Sequence, residues 1–358
     1  MINTDTTDVT IDPIIPTNKF DVKRERTLWV DYAKAIGIIL VVYAHVARGI
    51  FNAGLNLDQG SYKLIDSVIY TFHMPLFFFL SGVFLLASMA KRSSMSLLRT
   101  KVDTIFYPYV VWSLLQGLIE VAMSLYVNGQ PTLSEVFSFA WSPRAQFWFL
   151  YVLFFVFAFA MLVFRRSSLM WSSGIFIGSL VLYFFGSQLS DLYLFNTLSH
   201  YFVYFAAGVI SSFLLLKLNS IETRWMILFL ALFIFSQWVY HYELGLRYNS
   251  NAAFEQLLLG LIGICFVVLL AQWLSRFNLR WLTFLGRHSM TIYLVHILTG
   301  SGCRIILQKG FGVTDVGVHL VVGTLGGLLL PLVFYFGCMR FGLGALFSPP
   351  RALAVGKP

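Results

Sequence analysis

The chain has 358 residues, of which 58% are hydrophobic and only 11% are charged. Because a soluble domain is about 25% charged, this composition excludes an ordinary soluble domain and predicts an all-α protein that spans a membrane several times. The formal net charge is +9, but the basic residues are scattered singly or in pairs between apolar segments, so we expect no nucleic-acid partner.

The chain begins with a polar segment, residues 1–26, which lacks an apolar core followed by a cleavage site. It predicts a flexible cytoplasmic tail and no cleaved signal peptide. Ten apolar windows follow, each near the roughly 20 residues that cross a bilayer. The predicted spans are 29–50, 62–89, 104–127, 146–164, 170–186, 198–216, 225–240, 253–274, 289–307 and 318–339. Residues 27–341 therefore form one predicted transmembrane domain, and residues 342–358 form a C-terminal tail.

The basic residues between the spans predict the orientation. With the N-terminus in the cytoplasm, 18 of the 25 Lys and Arg residues fall on the inner side and six on the outer side. Lys34 lies within a span. Because cytoplasmic loops carry an excess of basic residues, this bias predicts that both termini are cytoplasmic.

The first span, "DYAKAIGIILVVYAH" (residues 31–45), carries three ionisable side chains. Lys34 and His45 are 11 residues apart, which on a helix places them on one face about 16 Å apart along the axis. Asp31 lies three residues before Lys34, where an ion pair would lower the cost of burial. Such a stripe predicts a helix face toward the bundle interior or a water-filled cavity. The competing interpretation places Asp31 and Lys34 at the membrane interface and makes His45 a structural histidine.

The second span contains "FHMPLFFFLSG", residues 72–82. His73 precedes Pro75 by two residues, so the helix is predicted to open there, as it is at Pro108 in the third span. Ser81 and Gly82 form a small pair of the kind that lets helices pack closely.

The ninth span opens with "LGRHSMTIYLVH", residues 285–296. Ser289, Tyr293 and His296 follow the spacing i, i+4, i+7, which predicts one polar stripe along a helix. Arg287 is expected at the cytoplasmic mouth of that stripe. In the fourth span, "QFWFLYVLFF" (residues 146–155) is typical of an aromatic belt.

Four sequence blocks, one each in the first, second, fourth and ninth spans, carry a resemblance to a known family. With "QFWFLYVLF" as the block of the fourth span, they resemble the acyltransferase-3 family of integral-membrane acyltransferases, and within it the fucose 4-O-acetylase-like branch. The blocks cover about 50 residues and occur in the family's order. The family's pattern of a basic residue, ten intervening residues and a histidine falls on Lys34 and His45. Its Phe-x-x-Ser-Gly motif falls on Phe78, Ser81 and Gly82.

The resemblance implies an enzyme of the bacterial inner membrane that moves an acyl group, usually acetyl, from cytoplasmic acetyl-CoA to a sugar hydroxyl. The acceptor would be an exopolysaccharide, a surface glycan or its lipid-linked precursor. Glycan synthesis and export machinery and membrane lipids are then expected partners. The sequence predicts no fused extracytoplasmic esterase-like domain, so the membrane domain is expected to complete the transfer or hand the group to a separate protein.

These inferences combine into a hypothesis for the site. Lys34 and Arg287, with Asp31 as orienting carboxylate and Ser81 from the family motif, are expected to hold acetyl-CoA. His45 is the expected general base, and His73 is the second candidate, as a base or an oxyanion donor. A covalent acyl-enzyme through Ser289, Tyr293 or a histidine stays open.

Other classes of function are weighed against this one. A secondary transporter or flippase of a sugar-containing substrate would also have about ten spans and buried ionisable residues, although no internal repeat is evident. A purely structural membrane subunit would not need His45 or Lys34. The three cysteines and the histidines show no metal-ligand spacing, so no metal is expected. The run "GTLGGLLLP" (residues 323–331) predicts a helix-packing face.

Overall fold

The computed structural model describes residues 19–126, 128, 132–216 and 221–356, with side chains from residue 28 onward. This part of the chain is helical and contains no strand. Its α-helices are α1 (Lys19–Asn52), α2 (Gln59–Tyr70), α3 (His73–Val83), α4 (Leu85–Met89), α5 (Ser94–Lys101), α6 (Tyr107–Ala122), α7 (Leu133–Phe137), α8 (Trp148–Val163), α9 (Leu169–Leu189), α10 (Tyr193–Leu215), α11 (Thr223–Trp238), α12 (Ala253–Leu274), α13 (Arg280–Arg287), α14 (Ser289–Ile305) and α15 (Val316–Arg340). The predicted all-α class is confirmed.

Ten helical segments of the described chain are long and apolar enough to cross a membrane, which confirms the predicted number. We call them spans 1 to 10: Leu28–Asn52, Gln59–Met89, Ser94–Ala122, Leu133–Val163, Leu169–Leu189, Tyr193–Leu215, Thr223–Glu243, Ala253–Phe277, Ser289–Gly310 and Val316–Arg340. The surface of the bundle exposes many large apolar side chains, among them Ile177, Ile234 and Val333. Such a surface suits contact with lipid, and the protein is an integral, multi-pass membrane protein.

Spans 2 and 3 are interrupted where the prolines predicted it. Span 2 breaks at Thr71 and Phe72, and α3 begins at His73 with Pro75 in its first turn. Span 3 contains a π-helical turn, Val102–Phe106, directly before α6, whose first turn holds Pro108. Proline is tolerated at these positions because the first amide groups of a helix have no intrahelical acceptor.

Helix α1 lies at the centre of the bundle and packs against α3, α12, α13, α14 and α15. Close approach depends on glycines. A Cβ atom at Gly323 or Gly327 of α15 would overlap Val46 or Val42 of α1, so the run "GTLGG" is a packing face as predicted. Gly82 of α3 faces the carbonyl of Phe205 in the same way.

Short polar contacts fix the ends of the bundle. Asp58 precedes α2 and accepts a hydrogen bond from the amide of Ser61 at 2.8 Å, a contact that lowers the pKa of the Asp58 carboxyl.

The C-terminal segment lies against span 3. The Tyr107 hydroxyl donates to the carbonyl of Ala345, and the Trp112 indole donates to that of Leu346, each at 2.7 Å. Asp103 accepts from the amide of Gly356, also at 2.7 Å. At the other terminus, residues 1–18 of the predicted N-terminal tail lie outside the described residues, and α1 begins at Lys19.

Candidate functional site

A cavity of about 570 Å³ lies at one end of the bundle, between spans 1, 3 and 9, the start of span 4 and the segment that joins spans 3 and 4. His45 of α1 and His296 of α14 both line it. Its rim includes the exposed residues Asn52, Asn128 and Glu135, so the cavity opens at the end of the bundle. A volume of this size holds a small-molecule ligand.

The two histidines that line the cavity contact each other. The ring centroids of His45 and His296 lie 5.1 Å apart. The Nδ1 of His296 lies 2.8 Å from the carbonyl oxygen of Tyr293, an acceptor that requires the proton to be on Nδ1. The buried Nε2 of His296 has no hydrogen-bond partner. The arrangement therefore presents an imidazole nitrogen with a free lone pair, which is what a general base needs.

A chain of hydrogen bonds leads from the predicted stripe on α14 to the rim of the cavity. The Tyr293 hydroxyl donates to the carbonyl of Gln146, and the Gln146 amide donates to Gln116 at 2.8 Å. Gln116 donates to Glu120 at 2.8 Å, and Glu120 accepts from Arg144 at 3.4 Å. The network fixes the start of α8 against α6 and α14 and so shapes one wall of the cavity.

The backbone of this cavity wall is strained at one residue, Ala145, which lies between Arg144 and Gln146. Ala145 has φ +46°, in the left-handed region, which costs a residue other than glycine about 1–2 kcal/mol. It separates Arg144, which pairs with Glu120 at the cavity, from the buried Gln146. Strained backbone of this kind is concentrated at functional sites.

His73 does not line the cavity. Its Nδ1 donates to the carbonyl of Ile69 at 2.8 Å, and its ring packs edge-on against Tyr70 at 4.5 Å. Tyr70 in turn lies 3.4 Å below the guanidinium of Arg48, which does line the cavity. The structure thus places His73 one layer behind the cavity wall.

The predicted donor-binding residues lie at the opposite end of α1. Because α1 is a continuous helix, the axial separation of about 16 Å between Lys34 and His45 holds. Asp31 pairs with Arg287 at 3.3 Å, and among the described residues no contact within 4.0 Å joins its carboxylate to Lys34, so its direct partner differs from the predicted one. The backbone explains the partner, because Gly286 of α13 lies directly against the carbonyl of Asp31 and brings Arg287 within reach.

The remaining predicted residues lie outside the cavity lining. Ser81 and Ser289 are partly buried and do not line the cavity. Tyr293 is buried beside His296, with ring centroids 5.9 Å apart, so only the His296 end of the predicted stripe reaches the cavity. Among the described residues, no group of three or more His, Cys, Asp or Glu side chains is placed to hold a metal ion.

Sequence reasoning missed several polar residues of both ends. Arg48 forms a two-point ion pair with Asp66, at 2.7 and 2.9 Å, and Arg304 is buried in the cavity wall. Both could have been found from helical spacing, since Arg48 is three residues after His45 and Arg304 is eight after His296. At the opposite end, Lys101 packs over the ring of Phe157 at 3.9 Å and lies near Lys34.

Comparison with known proteins agrees with this architecture. The family model of the acyltransferase-3 family, described as an acyltransferase domain, matches residues 27–336. A search of curated proteins and a search of solved structures gave no match. The match covers most of the chain and includes all the cavity-lining helices, and the chain therefore belongs to the acyltransferase-3 family of membrane acyltransferases.

Proposed function

We propose that this membrane acyltransferase moves an acetyl group from acetyl-CoA to a sugar hydroxyl of an exopolysaccharide, a surface glycan or a lipid-linked precursor. The observation that carries the proposal is the contact between His45 and His296 at the wall of a cavity that could hold a sugar. The acetyl donor, the sugar acceptor and the fucose 4-O-acetylase-like branch follow from the sequence resemblance.

In the proposed reaction, His45 is the general base. The sugar hydroxyl oxygen attacks the carbonyl carbon of the thioester, and its proton passes to the imidazole of His45. The carbon–sulfur bond then breaks, and the coenzyme A thiolate leaves and takes the proton back. His296, with its free Nε2, lies beside His45 and stabilises the transient imidazolium.

The donor is proposed to bind at the opposite end of α1. Lys34, Lys101 and Arg287 supply three cations there, which suits the phosphate groups of a coenzyme A molecule. Asp31 orients Arg287 through their ion pair, and Ser81 is a further candidate on α3. The extended pantetheine arm is of the same order of length as the axial distance of about 16 Å from Lys34 to His45.

The proposed orientation places the N-terminus, the C-terminus and the donor site in the cytoplasm and the cavity at the outer face of a bacterial inner membrane. Most Lys and Arg residues lie in segments on the same side of the membrane as the N-terminus, and this excess supports the orientation. Acceptors at the outer face would come from glycan synthesis and export machinery, which are the proposed partners.

The experiment that tests this function uses membranes that contain the protein, radiolabelled acetyl-CoA and the glycan fraction of the host. Label is expected to reach the glycan with the wild type and to be lost with His45→Ala at equal membrane levels. His200→Gln is the matched control, because His200 stacks on Tyr183 away from the cavity. Full transfer by His45→Ala would contradict the role of His45. Glycan transport without use of acetyl-CoA would instead indicate a transporter.

A further inference from the structure

Arg304 stands out among the cavity residues because its charge is buried without a carboxylate. The residue is only 7% exposed. Its Nε has no hydrogen-bond partner, and a terminal nitrogen makes one long contact, 3.4 Å, with the amide oxygen of Gln308. The guanidinium has five N–H donors, so most of its hydrogen-bonding capacity is left for a ligand.

The other two arginines of the cavity are neutralised by protein groups. Arg48 is held by both carboxylate oxygens of Asp66. Arg144 lies 3.4 Å from Glu120 and 3.8 Å from Glu135. Among the described residues, no carboxylate lies within 4.0 Å of Arg304. A buried cation without a partner is costly, so its retention in a cavity wall indicates an anionic ligand.

The position of Arg304 relates this anion to the proposed chemistry. Arg304 follows His296 by eight residues on α14, which places its backbone about 12 Å further along the helix axis. Both side chains line the same cavity. A ligand that presents a hydroxyl to the histidines would therefore carry its anionic group on the same sugar or on its neighbour.

We propose that Arg304 binds an oxyanion of the acceptor: the carboxylate of an acidic sugar, or the phosphate that links a sugar to a lipid carrier. Both groups match the planar fork of a guanidinium, which can donate two parallel hydrogen bonds to them. The inference rests on the proposed function and narrows its substrate class from any sugar hydroxyl to anionic glycans.

The test measures acetyl transfer from acetyl-CoA to three probe acceptors by wild type and Arg304→Gln protein. The acceptors are a uronic-acid disaccharide, the same disaccharide after reduction of its carboxyl group, and a neutral disaccharide linked to a prenyl diphosphate. The substitution should raise KM by about 10- to 100-fold for an anionic acceptor, since hydrogen bonds to a charged group are lost. The KM for the reduced disaccharide, which carries no anionic group, should be unchanged. A selective effect on the first or the third probe identifies the source of the anion.

Two further variants keep the test decisive. Arg304→Lys retains the charge but loses the fork, and it should recover part of the affinity for the anionic acceptors. Lys309→Gln removes a cation near the same end of span 9, outside the cavity lining, and should leave the KM values for all three acceptors unchanged.

Several outcomes would overturn the inference. Equal loss with anionic and neutral acceptors would make Arg304 a structural residue. The assay is repeated with succinyl-CoA as the donor. A rise in KM on Arg304→Gln that is seen only with this donor would place the anion on the acyl group. Failure of the proposed function is distinguishable from both, because the wild type would then transfer no acetyl group to any of the three probes or to the glycan fraction of the host.

Discussion

The contact between His45 and His296 predicts that the two histidines act as one unit. Their ring centroids are 5.1 Å apart, and the tautomer of His296 is set by the Tyr293 carbonyl. A general base contributes about 10²- to 10⁴-fold to a rate, or about 3–5.5 kcal/mol of barrier. We therefore expect His45→Ala to lower kcat by this amount, and His296→Ala to lower it by a comparable or smaller factor.

The combined variant distinguishes shared from independent roles. If both side chains act on the same proton, the double variant should be within about tenfold of the slower single variant, since residues that act as a unit are not additive. The assay is release of free coenzyme A by the purified protein in lipid vesicles, with the host glycan fraction as acceptor. His200→Gln controls for the loss of an imidazole elsewhere. Losses that multiply in the double variant, or an unaffected His296→Ala protein, would refute a joint role.

Three further predictions concern the surroundings of the two sites. Arg287→Gln should raise KM for acetyl-CoA several-fold, most at low salt, with little effect on the unfolding free energy, because the side chain is 57% exposed and such pairs contribute about 0–1 kcal/mol. Gly286→Val should lower the Tm in detergent, since its Cβ would overlap the backbone of α1; Gly178→Ala, which has open space, is the control and should leave the Tm unchanged or slightly raised. Ala145→Val should also lower the Tm, because a β-branched residue tolerates φ +46° poorly. If Gly286→Val melted at the Tm of the wild type, the argument from overlap with α1 would be contradicted. If Ala145→Val did so, the argument from its positive φ would be contradicted.

The spans could be predicted from sequence because burial in lipid requires long apolar runs, and this requirement acts locally. The start of span 3 was less predictable. It was expected at residue 104 but lies at Ser94, since α5 is polar and begins at the side-chain cap from Ser93. The breaks before His73 and Pro108 were predictable because the constraint of proline on its own backbone is also local.

The site was predictable only in part. Helical spacing placed Tyr293 and His296 on one stripe, but it could not show that His296 meets His45. That contact depends on how close α1 and α14 lie and on their relative register, which are set by packing of residues distant in sequence. The partner of Asp31 illustrates the same limit, because Arg287 is 256 residues away and is brought near by the glycine beside it.

The same packing bears on how the proposed reaction avoids a leak through the membrane. The proposed donor end, which holds Lys34, is separated from the cavity along α1 by Ile38, Val41 and Val42, all of them buried. Gly327 of α15 lets Val42 approach closely, so this layer is dense and apolar. A water-filled path between the two ends would conduct ions, whereas an apolar layer excludes them because moving a charge into it is costly. The proposed transfer therefore requires the pantetheine arm, which is uncharged, to part this layer while the phosphates stay at the end that holds Lys34.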